Sequence, residues 1–299
     1  MEIPDDDPVE ATRLIDEWVD RHLPSQVLFN ARAQEEGHAS RFLGAYGRSV
    51  GQFEVEFTAL VEVINRLNFV QREMWPPHRS VQYALLAHNL KPLRSVMDRL
   101  TKGYYPDALG LLRVAYETFI RLVFISVHQD DPWGALMRKP PPPTPPFNLT
   151  GFVRDQLRLR WATSYSVLSA FTHSNAVDVL DSLKRAATRQ GEPERFGLSI
   201  DFDPNRIELV LPQVHFALLA YLRFAVDRLV GPELRPQVAE AAIAVEAIDV
   251  MTFFLRTHPK RYWRDVAVDL DYVLALVAAA DAGANWREMV QTRPVVPPS

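Results

Sequence analysis

A chain of 299 residues, 47% hydrophobic, can bury a large core and sits at the upper edge of what one domain holds. It has no cysteine, which excludes disulfides, thiol catalysis and Cys-ligated zinc or iron–sulfur centres. A net charge of −4 argues against gripping nucleic acid by overall charge, yet eight acids against one arginine in residues 1–20 (net −7) leave the rest of the chain at +3.

The predicted elements are mostly helices. Asp5 to Asp7 before Pro8 read as a helix start leading into VEATRLIDEWVDRHL, which Pro24 ends. A helical stretch broken by Gly37, Gly44 and Gly47 precedes a strong one, in which Phe53, Phe57, Leu60, Ile64 and Leu67 form a single apolar stripe before Trp75-Pro76-Pro77. Residues 79–101 continue the pattern, with Pro92 expected to kink or divide the helix. Residues 104–128 are apolar almost all round and predict the central buried helix. PPPPTPP at 140–146 predicts a stiff surface connector to a further helix over 148–174.

Phe196, Leu198, Ile200 and Phe202 then alternate with polar residues and glycine. Asp203-Pro204-Asn205-Arg206 reads as a turn, and Ile207, Leu209 and Leu211 alternate back, so a β-hairpin is expected over 196–211. Helices over 213–230, 234–257 and 262–282 follow, the second with Val238, Ala241, Val245, Ile248, Thr252 and Leu255 at heptad spacing. The expected fold is mainly α, a multi-helix bundle in one compact body: N-terminal helices (1–103), a central core (104–230), C-terminal helices (231–292) and a disordered tail (293–299).

No Rossmann, P-loop, zincin or nucleophile-elbow motif is present, and no cofactor or metal is expected. Glu35 and His38 give one E-x-x-H pair, but a di-iron bundle needs two, so this pair reads as a surface coincidence. No run of about 18 to 20 uncharged apolar residues occurs, and the acidic start lacks a secretory basic region, which predicts a soluble, cytoplasmic protein without a membrane anchor. Arg154, Arg158 and Arg160, and later Arg256, Lys260, Arg261 and Arg264, are the candidates for a local basic surface, although an ordinary solvated helix face is the favoured account of them.

The chemistry-bearing pattern lies on the two helices that flank the proline run. Arg113, Glu117 and Arg121 repeat every four residues within about 80° of one face, and His128 falls back into the same arc. Arg158, Trp161, Tyr165, Ser169 and His173 share an arc on the next helix, so antiparallel packing would let the two stripes face each other. Buried charge must be paired, and these residues form either a satisfied structural network or a ligand-binding or catalytic site.

The R-x-x-x-E helix ALGLLRVAYETFIRLVFI followed by Y-x-x-x-S-x-x-x-H in YSVLSAFTH resembles, over roughly residues 50–230, a bacterial all-helical family of unknown function. That resemblance implies recurring polar residues at Arg113, Glu117, Ser169 and His173. The pattern is also distantly similar to HEPN domains, helical dimers that include metal-independent ribonucleases of toxin and antiphage systems. Their signature is an arginine and a histidine with four to six residues between them, a cation for phosphorane charge and a base for the 2′-hydroxyl. Arg121 with His128 fits, as do Arg32 with His38 and Arg72 with His78; composition alone gives about two such matches, and Leu122 stands where the family has a polar residue.

What this resemblance implies is a homo-oligomeric defence- or toxin-type protein acting on or sensing RNA or nucleotide. His173, Arg113, Glu117, Arg121 and His128 would be its catalytic set, with Tyr165, Ser169 and Arg158 as ligand contacts. The alternative from a different class is a non-catalytic module that senses a ligand or binds a partner protein and in which the polar residues are structural.

Overall fold

The computed structural model describes residues 12–13, 16–17, 25–68, 75–130, 132, 136, 147–160, 168, 200, 202–230 and 240–293. Eight helices run through them: α1 Ser25–Asn68, α2 Pro77–Thr101, α3 Tyr105–Val127, α4 (Leu149–Gly151, continued by a π-helical turn Phe152–Gln156), α5 (Pro204–Phe224, continued by a π-helical turn Ala225–Val230), α6 Glu240–Thr257, α7 Arg261–Asp281 and α8 Trp286–Thr292. The fold is a multi-helix bundle, as the periodicity predicts.

α3 is the axis of the bundle. Leu109, Leu112, Ala115, Phe119, Ile120, Leu122 and Val123 cover nearly half of its circumference and are all buried, against α2 on one side and α5 and α7 on the others. Tyr221 of α5, fully buried, donates its hydroxyl to the Ala115 carbonyl at 2.8 Å and locks the two central helices together. α1 lies across α2 and α5, and α6 covers α1. The predicted stripe Phe53, Leu60, Ile64 and Leu67 is the buried edge of α1. That helix bends at Tyr46 (φ −124°, ψ 17°), between Gly44 and Gly47, so two predicted stretches join into one kinked rod.

Among the described residues the expected β-hairpin is not seen, and its second strand is helix. Asp203, read as the first residue of a turn, is the N-cap of α5: its carboxylate accepts from the Asn205 and Arg206 N–H groups at 3.0 and 3.3 Å, and Pro204 takes the first helical position. Ile207, Val210, Leu211, Val214 and Leu218 then form a helical stripe, buried throughout, which overrides the short alternation of Ile207, Leu209 and Leu211. Of the first expected strand, residues 196–199 and 201 lie outside the described residues.

Pro92 divides nothing, and neither does Pro212; both sit inside continuous helices held by packing on several sides. In α6 the buried seam is Ala244, Ala247, Met251 and Leu255; of the expected heptad Leu255 lies on it, while Val245 is on the exposed side. The two alanines give α1 room to approach closely. Pro204–Val230 is long and apolar enough to cross a membrane (mean hydropathy 1.6), but 72% of that window is buried inside the bundle, as for a core helix.

The helix expected over 148–174 stops early. α4 ends at Gln156, and the chain turns out at Leu157 to Arg160 with Arg158 in the left-handed region (φ 53°). Arg158 therefore does not continue the arc proposed for Trp161, Tyr165, Ser169 and His173. Those four residues, the proline run 140–146 and the N-terminal helix start lie outside the described residues.

Candidate functional site

The first polar stripe forms as spaced. Arg113 Nε meets Glu117 Oε1 at 2.8 Å, and Arg121 Nη1 reaches Glu117 Oε2 at 3.6 Å, a ladder along one face of α3. The expectation of burial is corrected: these side chains are 20%, 21% and 31% exposed, at the edge of the bundle and not in its centre. Val114 beside them is exposed, which marks this as a face of α3 that the described helices leave partly open.

His128 is about four turns beyond Arg113, at the C-cap of α3. Its ring stacks on Phe124 at 4.1 Å, meets Trp286 edge-on at 5.5 Å and lies 6.4 Å from Phe152, and Nδ1 donates to the Phe124 carbonyl at 3.1 Å. Phe147 completes the aromatic wall, 4.8 Å from Phe124, and the Arg121 guanidinium sits over its ring at 5.8 Å. So the structure brings Arg121, His128 and Arg158 to the borders of one place and leaves Arg113 and Glu117 outside it.

That place is a groove of about 730 Å³ between the end of α3, the 147–158 segment and α8. Phe124, His128, Phe147, Phe152 and Trp286 form its rings, and Asp155, Arg158 and Arg287 its charged rim. Arg287 also rests on the Trp286 ring at 5.0 Å. Asp155 is neutralised by its neighbour: Arg154 Nε is 2.7 Å away and holds the carboxyl below its ordinary value. Among the described residues neither Arg158 nor Arg287 has an acid partner, so the rim carries positive charge.

Of the other basic candidates, the three arginines on α6 and α7 are taken up elsewhere. Arg256 pairs with Asp271 at 2.6 Å, Arg261 with Asp265 at 3.5 Å, and Arg264 Nη1 donates to the His258 and Pro259 carbonyls at 2.6 and 3.0 Å. α7 thus carries a row of acids, two of which absorb Arg256 and Arg261. A third, Asp269, is wholly buried; its oxygens accept from the Arg160 backbone N–H at 2.7 Å and from Arg293 Nη2 at 2.5 Å. Burial pushes its carboxyl up, opposed by those two donors. Arg293, at the head of the segment expected to be disordered, is therefore anchored.

Glu35 and His38 are not a surface coincidence. Glu35 accepts from the Tyr104 hydroxyl at 2.6 Å, while His38, 0% exposed, contacts the Thr101 carbonyl at 2.6 Å and the Tyr105 hydroxyl at 2.8 Å. A carbonyl can only accept, so Nδ1 carries the proton and Nε2 accepts from Tyr105, whose oxygen accepts in turn from the Asp203 N–H at 3.0 Å. This neutral histidine joins α1, the α2–α3 turn and the cap of α5. Because both ring nitrogens are used, the Arg32 and His38 match to the HEPN spacing is structural. Glu56 and His215 form another buried pair missed in the sequence, Nδ1 to Oε2 at 2.7 Å, with Gln52 donating to the second oxygen at 2.6 Å.

Among the described residues no group of three or more acids and histidines is arranged to hold a metal ion. The groove residues Phe147, Phe152, Trp286 and Arg287 carry no motif. Their only sequence signals are the helix stop at Ala282-Gly283 (Gly283 φ 77°) and the Asn285 cap, which place Trp286 and Arg287 at the start of a new helix. Comparison with protein-family models, with curated proteins and with solved structures finds no match.

Proposed function

We propose that this protein recognises RNA or a nucleotide, as a HEPN-like module of the defence or toxin type, through the groove at the end of α3. The observation that carries this reading is the meeting of several aromatic faces with Arg158 and Arg287, two guanidiniums that have no acid partner among the described residues. Rings accept a base by stacking regardless of its identity, and a positive rim holds the phosphate beside it. The self-closing pairs of the Arg113, Glu117 and Arg121 ladder support a structural role for that stripe and hence the non-catalytic form of the proposal.

Titration calorimetry with AMP, ADP and a short single-stranded oligoribonucleotide tests it. Binding that weakens at least tenfold in Arg287→Ala and falls steeply with salt is expected. No heat from any of the three at millimolar concentration removes the reading.

Cleavage is the second form, favoured by one observation: Arg121 over Phe147 and His128 against Phe152 border the same group of rings. Incubation with total RNA in EDTA decides it. Cleavage lost in His128→Ala supports a general acid or base there, and cleavage equal in variant and wild type, or none at all, leaves a binding protein. The homo-oligomer implied by the HEPN resemblance is part of the same proposal and is read by sedimentation velocity.

A further inference from the structure

Arg158 is the one described non-glycine residue with positive φ, and it lines the groove. The chain on both sides of it is pinned. Leu157 N–H donates to the Phe152 carbonyl at 2.8 Å, and its own carbonyl accepts from Arg293 Nη1 at 3.2 Å. Leu159 N–H donates to the Val153 carbonyl at 3.0 Å, and Arg160 N–H to Asp269 at 2.7 Å. Leu157 and Leu159 are buried while Arg158 is exposed. Arg160 adds a side-chain pair to Asp265 at 2.8 Å.

The pins converge on one pair. Asp269 holds Arg160 with one oxygen and Arg293 with the other, and Arg293 holds Leu157 while lying 4.0 Å over the Tyr272 ring. With residues 157 and 160 both fixed, residue 158 has to cross in the left-handed region, where an arginine is strained. Nothing in the packing asks for an arginine there, since the side chain is exposed. Glycine would make the same turn without strain. A strained, cationic, outward side chain at the rim of an aromatic groove is what a preset phosphate contact looks like.

We infer that Arg158 is the phosphate contact of the groove and that Asp269 and Arg293 are positioning residues that hold it there, an inference that rests on the nucleotide reading proposed above. The ligand chemistry is a phosphate ester beside a stacked base. Free phosphate, a mononucleotide and an RNA strand share that chemistry and are separated by the probes used.

The test compares melting temperature with binding in five variants of the full chain, three single and two double. Arg158→Gly should melt above Arg158→Ala by about 2 °C or more, because only alanine keeps the strain, and both should bind AMP at least tenfold more weakly than wild type. Arg293→Lys keeps the charge on Asp269 but cannot also grip the Leu157 carbonyl. It should bind AMP several-fold more weakly, and in its background the glycine advantage at position 158 should shrink. Inorganic phosphate and an oligoribonucleotide, run beside AMP, show whether the base and the strand add affinity.

Equal melting of the glycine and alanine variants, or a glycine advantage unchanged by Arg293→Lys, overturns the clamp while leaving the nucleotide reading intact. Wild-type protein that binds none of the three probes overturns the reading and the phosphate role together, whatever the melting temperatures show. Wild-type affinity retained in Arg158→Gly overturns the phosphate role alone.

Discussion

Two arginine–carboxylate systems bracket the groove, and they differ in almost every physical respect. The Arg113, Glu117 and Arg121 ladder is local, four residues apart on one helix, and a fifth to a third exposed. The Asp269 clamp joins residues 109 and 24 apart in sequence, and its carboxylate has no contact with solvent. Water screens the first, so its pairs contribute little; the second works where an unpaired charge is expensive. The ladder decorates α3, and the clamp decides where the chain runs past the groove.

The largest effect that separates the two should come from Arg293→Ala. Removing the guanidinium leaves Asp269 buried with one backbone donor and frees the Leu157 carbonyl, so stability in chemical denaturation should fall by about 3 to 5 kcal/mol. A loss under about 1 kcal/mol would put the clamp in the same class as a surface pair. Next is Gly103→Ala at the α2–α3 turn. Gly103 has φ +85°, and an added Cβ would meet Ile200 Cγ2 at 2.5 Å and His38 Cδ2 at 2.9 Å. Strain and collision together should lower stability by about 1 to 3 kcal/mol, and an unchanged melting temperature would refute that close approach.

His38 gives the pH dependence. Burial, reinforced by Arg41, holds its pKa below the ordinary 6.5 despite the Thr101 carbonyl. The folded state therefore binds this proton less readily than the unfolded chain. The stability it supplies is complete above about pH 6.5 and is lost as pH falls through the depressed folded value, by at most about 1.4 kcal/mol per pH unit. His38→Gln can donate to Thr101 and accept from Tyr105 but does not titrate. Its melting temperature should fall less steeply than wild type between pH 7 and 5, and parallel curves would show that His38 is not the responsive group.

What the sequence showed and what it hid divide along the same line as the two arginine systems. Periodicity within one helix is visible in a string of residues, so α3, the stripe of α1 and the Arg113, Glu117 and Arg121 ladder were all legible, in the right register. The hairpin misread shows the limit. Asp203-Pro204 is a turn signal and a helix-start signal at once, and only the buried run Ile207, Val210, Leu211 and Val214 shows which applies. Burial is harder to read: an apolar helix need not be enclosed on every side, and the ladder occupies a partly open one. Asp269 with Arg160 and Arg293, like Glu56 with His215, is assembled by tertiary packing alone, and no spacing announces it. The charge of Arg158 is visible in the sequence, but its strained backbone is not, because the helix expected through it ends at Gln156.

The smallest effect belongs to Glu117, and it is the most discriminating. Glu117→Ala breaks two i,i+4 pairs on a partly exposed face, each worth about 0.3 to 0.5 kcal/mol, so the total loss should be about 1 kcal/mol or less. A double-mutant cycle with Arg113→Ala should return a coupling of the same small size. Freed from Glu117, Arg121 still faces Phe147 at the groove, so nucleotide affinity should hold or rise slightly, and it should not collapse. A loss of 3 kcal/mol or more would mean that Glu117 is enclosed as tightly as Asp269. A collapse of binding with the fold intact would move the recognition site from the groove back to the ladder.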